Sequence, residues 1–171
     1  CINSKPTMTI DCNGNKVDPA TGRMQPNSQY TYNVDGKDYD VFQNATDTIT
    51  LTAWCEDPET PVSVLEANTT WIYDGSVTTG KVFNLPAPLV RGIHSISYFT
   101  TDIASIKSDV ATYTFFVNEA PVFEVATSTK SGYVYDDVIS MNATVTDDTE
   151  GGITLTWYYK NKAKSVAEWP E

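Results

Sequence analysis

The side chains most able to do chemistry sit in two acidic loops. The first reads Glu56-Asp57-Pro58-Glu59 and the second Asp147-Asp148-Thr149-Glu150. Calcium takes about six to eight oxygens from carboxylates and carbonyls, which such loops can supply. The same residue types also cap turns and end strands in ordinary solvated loops, and both readings stand at this stage. The chain has one histidine, His94. General acid–base work needs a nucleophile or carboxylate within hydrogen-bond reach, and no Ser or Cys motif flanks it. We expect a structural His94, assign no catalytic residue, and expect no enzymatic activity.

The three cysteines are Cys1, Cys12 and Cys55, so at most one internal disulfide forms. Their spacing fits neither a redox CxxC nor a zinc site. Cys1 admits three readings: a lipid anchor of the bacterial lipoprotein kind, an accident of where the chain begins, or a bond to Cys12. Asn-x-Thr sequons stand at Asn44, Asn68 and Asn142. In a chain this rich in Asn, Ser and Thr, roughly two would arise by chance. Asn142 alternates with Met141 and Ala143, so it should face outward and be able to carry a glycan. Among the abundant aromatics, Tyr133, Tyr135, Tyr158 and Tyr159 could form a sugar platform or cross-strand core pairs.

The elements that position these residues read as strands. Thr, Val, Ile and Tyr fill the runs between turns, while Ala, Leu and Lys are sparse. Eleven basic and 22 acidic residues among 171 give a formal charge of −11. That balance argues against nucleic acid or anionic lipid as a partner and is compatible with bound cations. No stretch approaches the roughly 20 apolar residues of a membrane helix. The chain begins at Cys1 rather than Met, which fits a processed product.

A repeat runs through the chain. Ile49-x-Leu51-x-Ala53-x-Cys55-x-Asp57 matches Ile139-x-Met141-x-Ala143-x-Val145-x-Asp147 at an offset of 90. Both segments alternate as half-buried strands do. Each runs into its acidic loop and then into a Trp strand, Thr70-Trp71-Ile72-Tyr73 or Thr156-Trp157-Tyr158-Tyr159, now at an offset of 86. The first copy continues through the Asp74-Gly75 turn and strands at 81–85, 92–98 and 110–117. Asn118-Glu119-Ala120-Pro121-Val122-Phe123 then forms a stiff junction. The second copy holds only its first strands. A sandwich of this kind needs about 100 residues and seven strands, so further chain or a donated strand should complete it.

An alternating strand ending in Asp, a Trp strand, Gly92-x-His94-x-Ile96, Asp102 and the Asn118-x-Ala120-Pro121 linker together resemble the Ig-like and PKD-like repeats of extracellular surface proteins. The linker also resembles that of cadherin repeats, without their aspartates. The resemblance implies an all-β chain of tandem Ig-like antiparallel β-sandwich modules, the second incomplete. Residues 1–29 would be an N-terminal segment able to add a strand, 30–118 the first module and 119–171 the start of the second. It implies Trp71 and Trp157 as core tryptophans. It brings Asp57, Glu59 and Asp102 to one pole as candidate calcium ligands, and sets Asp147 and Asp148 towards Glu119 at the junction. The usual disulfide between central strands has no second cysteine in 90–102. Cys55 then pairs with Cys12, the preferred partner, or with Cys1, or stays a buried thiol. The implied role is a non-enzymatic segment of an extracellular or cell-surface filament, sheath or surface assembly. Its partners would be other copies of itself or further modules of the same chain. The alternative is an adhesion module for a surface glycan or protein. Apart from calcium, no cofactor is expected.

Overall fold

The computed structural model describes residues 3–26, 30–126, 142–147 and 156. The chain divides into two compact units, residues 1–120 and 121–171. It is an all-β protein with antiparallel and mixed sheets and, among the described residues, one short helix.

In the first unit the strands follow the alternation of apolar residues. They are β1 (Thr7–Cys12), β2 (Asn15–Asp18), β3 (Arg23–Gln25), β4 (Thr31–Val34), β5 (Lys37–Gln43) and β6 (Ile49–Glu56). After α1 (Val62–Ala67) come β7 (Thr70–Tyr73), β8 (Ser76–Thr79), β9 (Val82–Leu85), β10 (Gly92–Phe99) and β11 (Ala111–Asn118). One sheet has the order β3-β2-β1-β6-β9 and the other β4-β5-β11-β10-β7-β8. The pair β5–β11 is parallel; the other pairs are antiparallel. A two-residue hairpin turn of type I′ needs positive φ at both central positions. Asp74-Gly75, at φ 47° and 73°, meets that need between β7 and β8.

Buried side chains from both sheets meet in one core. Ile10, Ile49, Leu51 and Ala53 supply the first sheet; Ile96, Tyr113, Phe115 and Val117 supply the second. Trp71 is fully buried, stacks on Phe83 of the other sheet and donates its indole N–H to the Gly80 carbonyl at 2.8 Å. The expected core role of Trp71 therefore holds, whereas Trp157 lies outside the described residues. At the opposite edge a buried polar group joins the sheets. Asp40 on β5 accepts from Arg23 Nε of β3 at 3.1 Å, from the Met24 amide at 2.9 Å and from the Tyr113 hydroxyl at 3.0 Å.

Residues 1–29 are not a separate segment. β1 pairs with β6 along its whole length, from Thr7 opposite Glu56 to Cys12 opposite Leu51, and β2 and β3 extend the same sheet. The strand expected from that segment is present as β1, while the boundary at residue 30 does not divide the unit: Ile10, Cys12, Val17 and Met24 are core residues. Helix α1 is also unexpected. Pro61 opens it, its carbonyl accepting from Val64 and Leu65, and Leu65 is buried.

In the second unit, β12 (Val122–Ala126) pairs antiparallel with β13 (Asn142–Thr146). Val122 lies opposite Thr146 as Thr7 lies opposite Glu56. With β13 matched to β6 at the offset of 90, the pairing matches β12 to β1 at an offset of 115. The sequence agrees: Asn3-x-x-Pro6 and Asn118-x-x-Pro121 stand 115 apart, each just before its strand. The difference of 25 residues falls between each opening strand and its partner, where the first unit carries β2 to β5.

Candidate functional site

The expected acidic pole is partly assembled. Asn3 donates to Asp102 Oδ2 at 2.6 Å, and the adjacent Ser4 reaches Glu59 from its amide and its hydroxyl. Lys5, the next residue, pairs with Asp109. Chain entry at β1 therefore brings Glu59 and Asp102 to the same end of the unit.

Each carboxylate there organises backbone. Asp57 Oδ1 accepts the amides of Glu59 and Thr60 at 2.7 and 3.1 Å, holding its turn. Asp102 is buried, and its Oδ1 accepts the amides of Ala104 and Ile106 at 2.8 and 2.7 Å. Among the described residues no group of three His, Cys, Asp or Glu side chains is arranged to hold a metal. Asp57 Oδ2 and Thr60 Oγ1 are buried without a hydrogen-bond partner. Glu119 faces Arg91 at 3.5 Å. Asp147 follows β13, and Asp148 lies outside the described residues.

Cys12 and Cys55 are both buried free thiols, so the expected bond between them is corrected. Both point inward from neighbouring strands, but Cys12 faces Leu51, four residues along β6 from Cys55. At about 3.4 Å per residue that is roughly 14 Å, about twice the reach of a disulfide. Burial pushes the Cys12 thiol up to about 12, eased by a hydrogen bond with Tyr113 and raised further by the Asp40 charge. Burial also raises Cys55, whose sulfur lies 3.6 Å from the Thr69 hydroxyl. Neutral, enclosed thiols are poor nucleophiles. Cys1 lies outside the described residues.

His94 is half-buried and tied into the fold. Its Nε2 sits 2.7 Å from the Val90 carbonyl, which can only accept, so Nε2 carries the proton. Nδ1 then accepts from the Tyr73 hydroxyl at 2.9 Å, and the ring stacks on Phe115. Of the sequon residues, Asn68 and Asn142 are exposed and Asn44 is half-buried. Asn68 donates to the Thr101 carbonyl at 3.0 Å through one of its two amide hydrogens. The aromatic group Tyr133, Tyr135, Tyr158 and Tyr159 lies outside the described residues.

Sequence reasoning missed Trp54. It shares the outward face of β6 with Thr50 and Thr52, and 51% of its surface is exposed. Its indole N–H donates to Asp11 Oδ2 at 2.8 Å, and the Lys81 ammonium lies 5.0 Å from the ring centre. Beside it opens a groove of about 290 Å³ between β1, β2, β6 and α1. The parity of Thr50-x-Thr52-x-Trp54 was the available signal. No protein-family model, curated protein or solved structure matches the chain.

Proposed function

We propose that the chain is a non-enzymatic segment of an extracellular filament, sheath or surface assembly built from tandem Ig-like β-sandwich modules. The observation that carries this reading is the repeated opening strand pair. Two Asn-x-x-Pro segments each lead into a strand that pairs in the same register with the matched partner. Short proline linkers between repeated units make a chain extended and resistant to collapse, as a spacer or fibre requires. The charge of −11 suits a solvated surface. Among the described residues no helix is long and apolar enough to cross a membrane.

In the first unit β6 carries β9 on the side away from β1. Beside β13, the matching place would take a strand from this chain or from a neighbouring copy, and donation between copies would join subunits. Negative-stain electron microscopy of the full chain, with light scattering on the same sample, tests the proposal. Regular filaments or chains of particles support it. A chain that stays a single monomeric particle at high concentration refutes self-assembly. Thr144→Pro on β13 should abolish assemblies joined through that edge and leave melting of the first unit unchanged.

Trp54 gives one specific observation in favour of the adhesive alternative, a module that binds a surface glycan or protein.

A further inference from the structure

We infer that the Trp54 groove is a binding subsite for a neutral glycan presenting the C–H face of a pyranose ring. This deepens the adhesive reading and is independent of self-assembly.

The indole is fixed before any ligand arrives. Asp11 holds its N–H, and Lys81 lies against the ring while pairing with Glu66 at 2.8 Å. An aromatic ring locked in this way loses little freedom on stacking. Half of its surface nonetheless remains exposed. The fold itself does not require an indole there, because Thr144 holds the matched position on β13 and pairs with Glu124 as Trp54 pairs with Thr9. The Asp11 anchor is likewise absent from the second unit, where Ala126 stands opposite Asn142. Trp54 and its support are thus a local addition to the first unit.

The surroundings select the ligand class. Thr7, Thr9, Lys16, Glu56 and Glu66 line the groove with Trp54, beside the apolar Met8 and Val62. Hydroxyls, one ammonium and two carboxylates offer donors and acceptors in the same groove as the indole. A polyhydroxylated neutral ring satisfies both kinds, stacking its C–H face on the indole and directing hydroxyls to the rim. An acidic polysaccharide would meet two local carboxylates and a chain of charge −11. The volume of about 290 Å³ lies near the lower limit of small-ligand pockets and suits a short stretch of sugar.

The test is a titration of the full chain, followed by the indole N–H signals in a proton–nitrogen correlation spectrum. The probes are hexamers of β-1,4-linked glucose and of β-1,4-linked N-acetylglucosamine, with heparin as the acidic control. Trp54→Phe identifies the Trp54 signal by its disappearance. One neutral hexamer should shift that signal saturably at millimolar concentration or below, and heparin should not. Trp54→Ala should weaken binding roughly tenfold or more, and Trp54→Phe should weaken it less. If Trp54→Ala fails to fold, Lys16→Ala, which removes one rim donor and no core contact, should weaken binding severalfold. The proposal is overturned if neither hexamer moves the Trp54 signal, if heparin binds better than both, or if the alanine variant binds as well as the parent. Self-assembly is read in the absence of sugar, so failure here leaves the proposed assembly role standing, and the reverse also holds.

Discussion

Replacing Asp40 by asparagine should remove the charge that locks one edge of the first unit while keeping the side chain's shape. Asp40 is fully buried and receives hydrogen bonds from Arg23, Met24 and Tyr113. Asparagine would offer one acceptor oxygen and turn an amide group towards donors that need acceptors. Arg23, itself buried, would keep Asp38 at 3.6 Å and the Thr31 hydroxyl at 3.0 Å, but Asp38 is half exposed. Leaving one member of a buried ion pair uncompensated costs about 3 to 5 kcal/mol. That is a large share of the roughly 5 to 15 kcal/mol that holds a domain folded. Tyr113→Phe removes only one donor to the same carboxylate and should cost less, about 1.5 to 3 kcal/mol. Urea unfolding followed by circular dichroism measures both. Arg23→Met on the Asp40→Asn background should cost less than the sum of the single changes, since the stranded cation is gone. A loss below about 1 kcal/mol for Asp40→Asn, or one no larger than for Tyr113→Phe, would refute the reasoning.

Three further outcomes are expected. Native protein at pH 8 should leave Cys12 and Cys55 unlabelled by iodoacetamide, and both should label in urea; rapid native labelling, or an oxidised mass without reductant, would contradict the buried free thiols. Stability should fall as pH rises above about 9. Cys12 sits near 12 in the folded chain and 9 when unfolded, so the unfolded state releases its proton first. The slope from this thiol is about 1.4 kcal/mol per pH unit between those values, with Cys55 and Tyr113 adding in the same direction; stability that is flat from pH 9 to 11 would show these groups to be solvated. Asp102→Ala should destabilise the first unit by about 2 kcal/mol through its lost amide bonds, equally with and without a chelator. A chelator that lowers the melting temperature of the parent but not of this variant would place calcium at that pole.

Much of the first unit was legible because its strands alternate cleanly. Ile49 to Cys55 and Gly92 to Tyr98 show their inward faces in residue order alone. The opening of the unit was not legible, because the repeat was aligned on β6 at an offset of 90 while the linkers obey 115. The intervening β2 to β5 hide that relation from a single offset. Cysteine pairing failed for a related reason. Inward parity on adjacent strands is visible in a sequence, but the register that separates Cys12 from Cys55 is set by where β1 docks on β6. The buried Arg23–Asp40 contact joins residues on different sheets that carry no local signature. Acidic residues in a loop read alike whether they hold a cation or a turn, and residue order does not show that Asp57 Oδ1 and Asp102 Oδ1 accept backbone amides of their own turns. The outward parity of Trp54 is visible in residue order, but its Asp11 anchor and its Lys81 neighbour depend on how β1 and β9 dock on β6.

The ends of the first unit have a mechanical consequence. Asn3 and Ser4 contact Asp102 and Glu59 at one end, whereas Asn118 bonds to Asn44 and Gln43 at the end where Asn13 meets Thr48 and Thr50. The chain thus enters at one pole and leaves at the other. Tension along it would pull β1 lengthwise against β6 and β11 lengthwise against its parallel neighbour β5. All six register pairs of β1 with β6 would share that load at once, instead of opening one after another from an end. The unit is wired to resist stretching as a clamp loaded in shear, and its lifetime under force is set by the rate at which both ladders give way together.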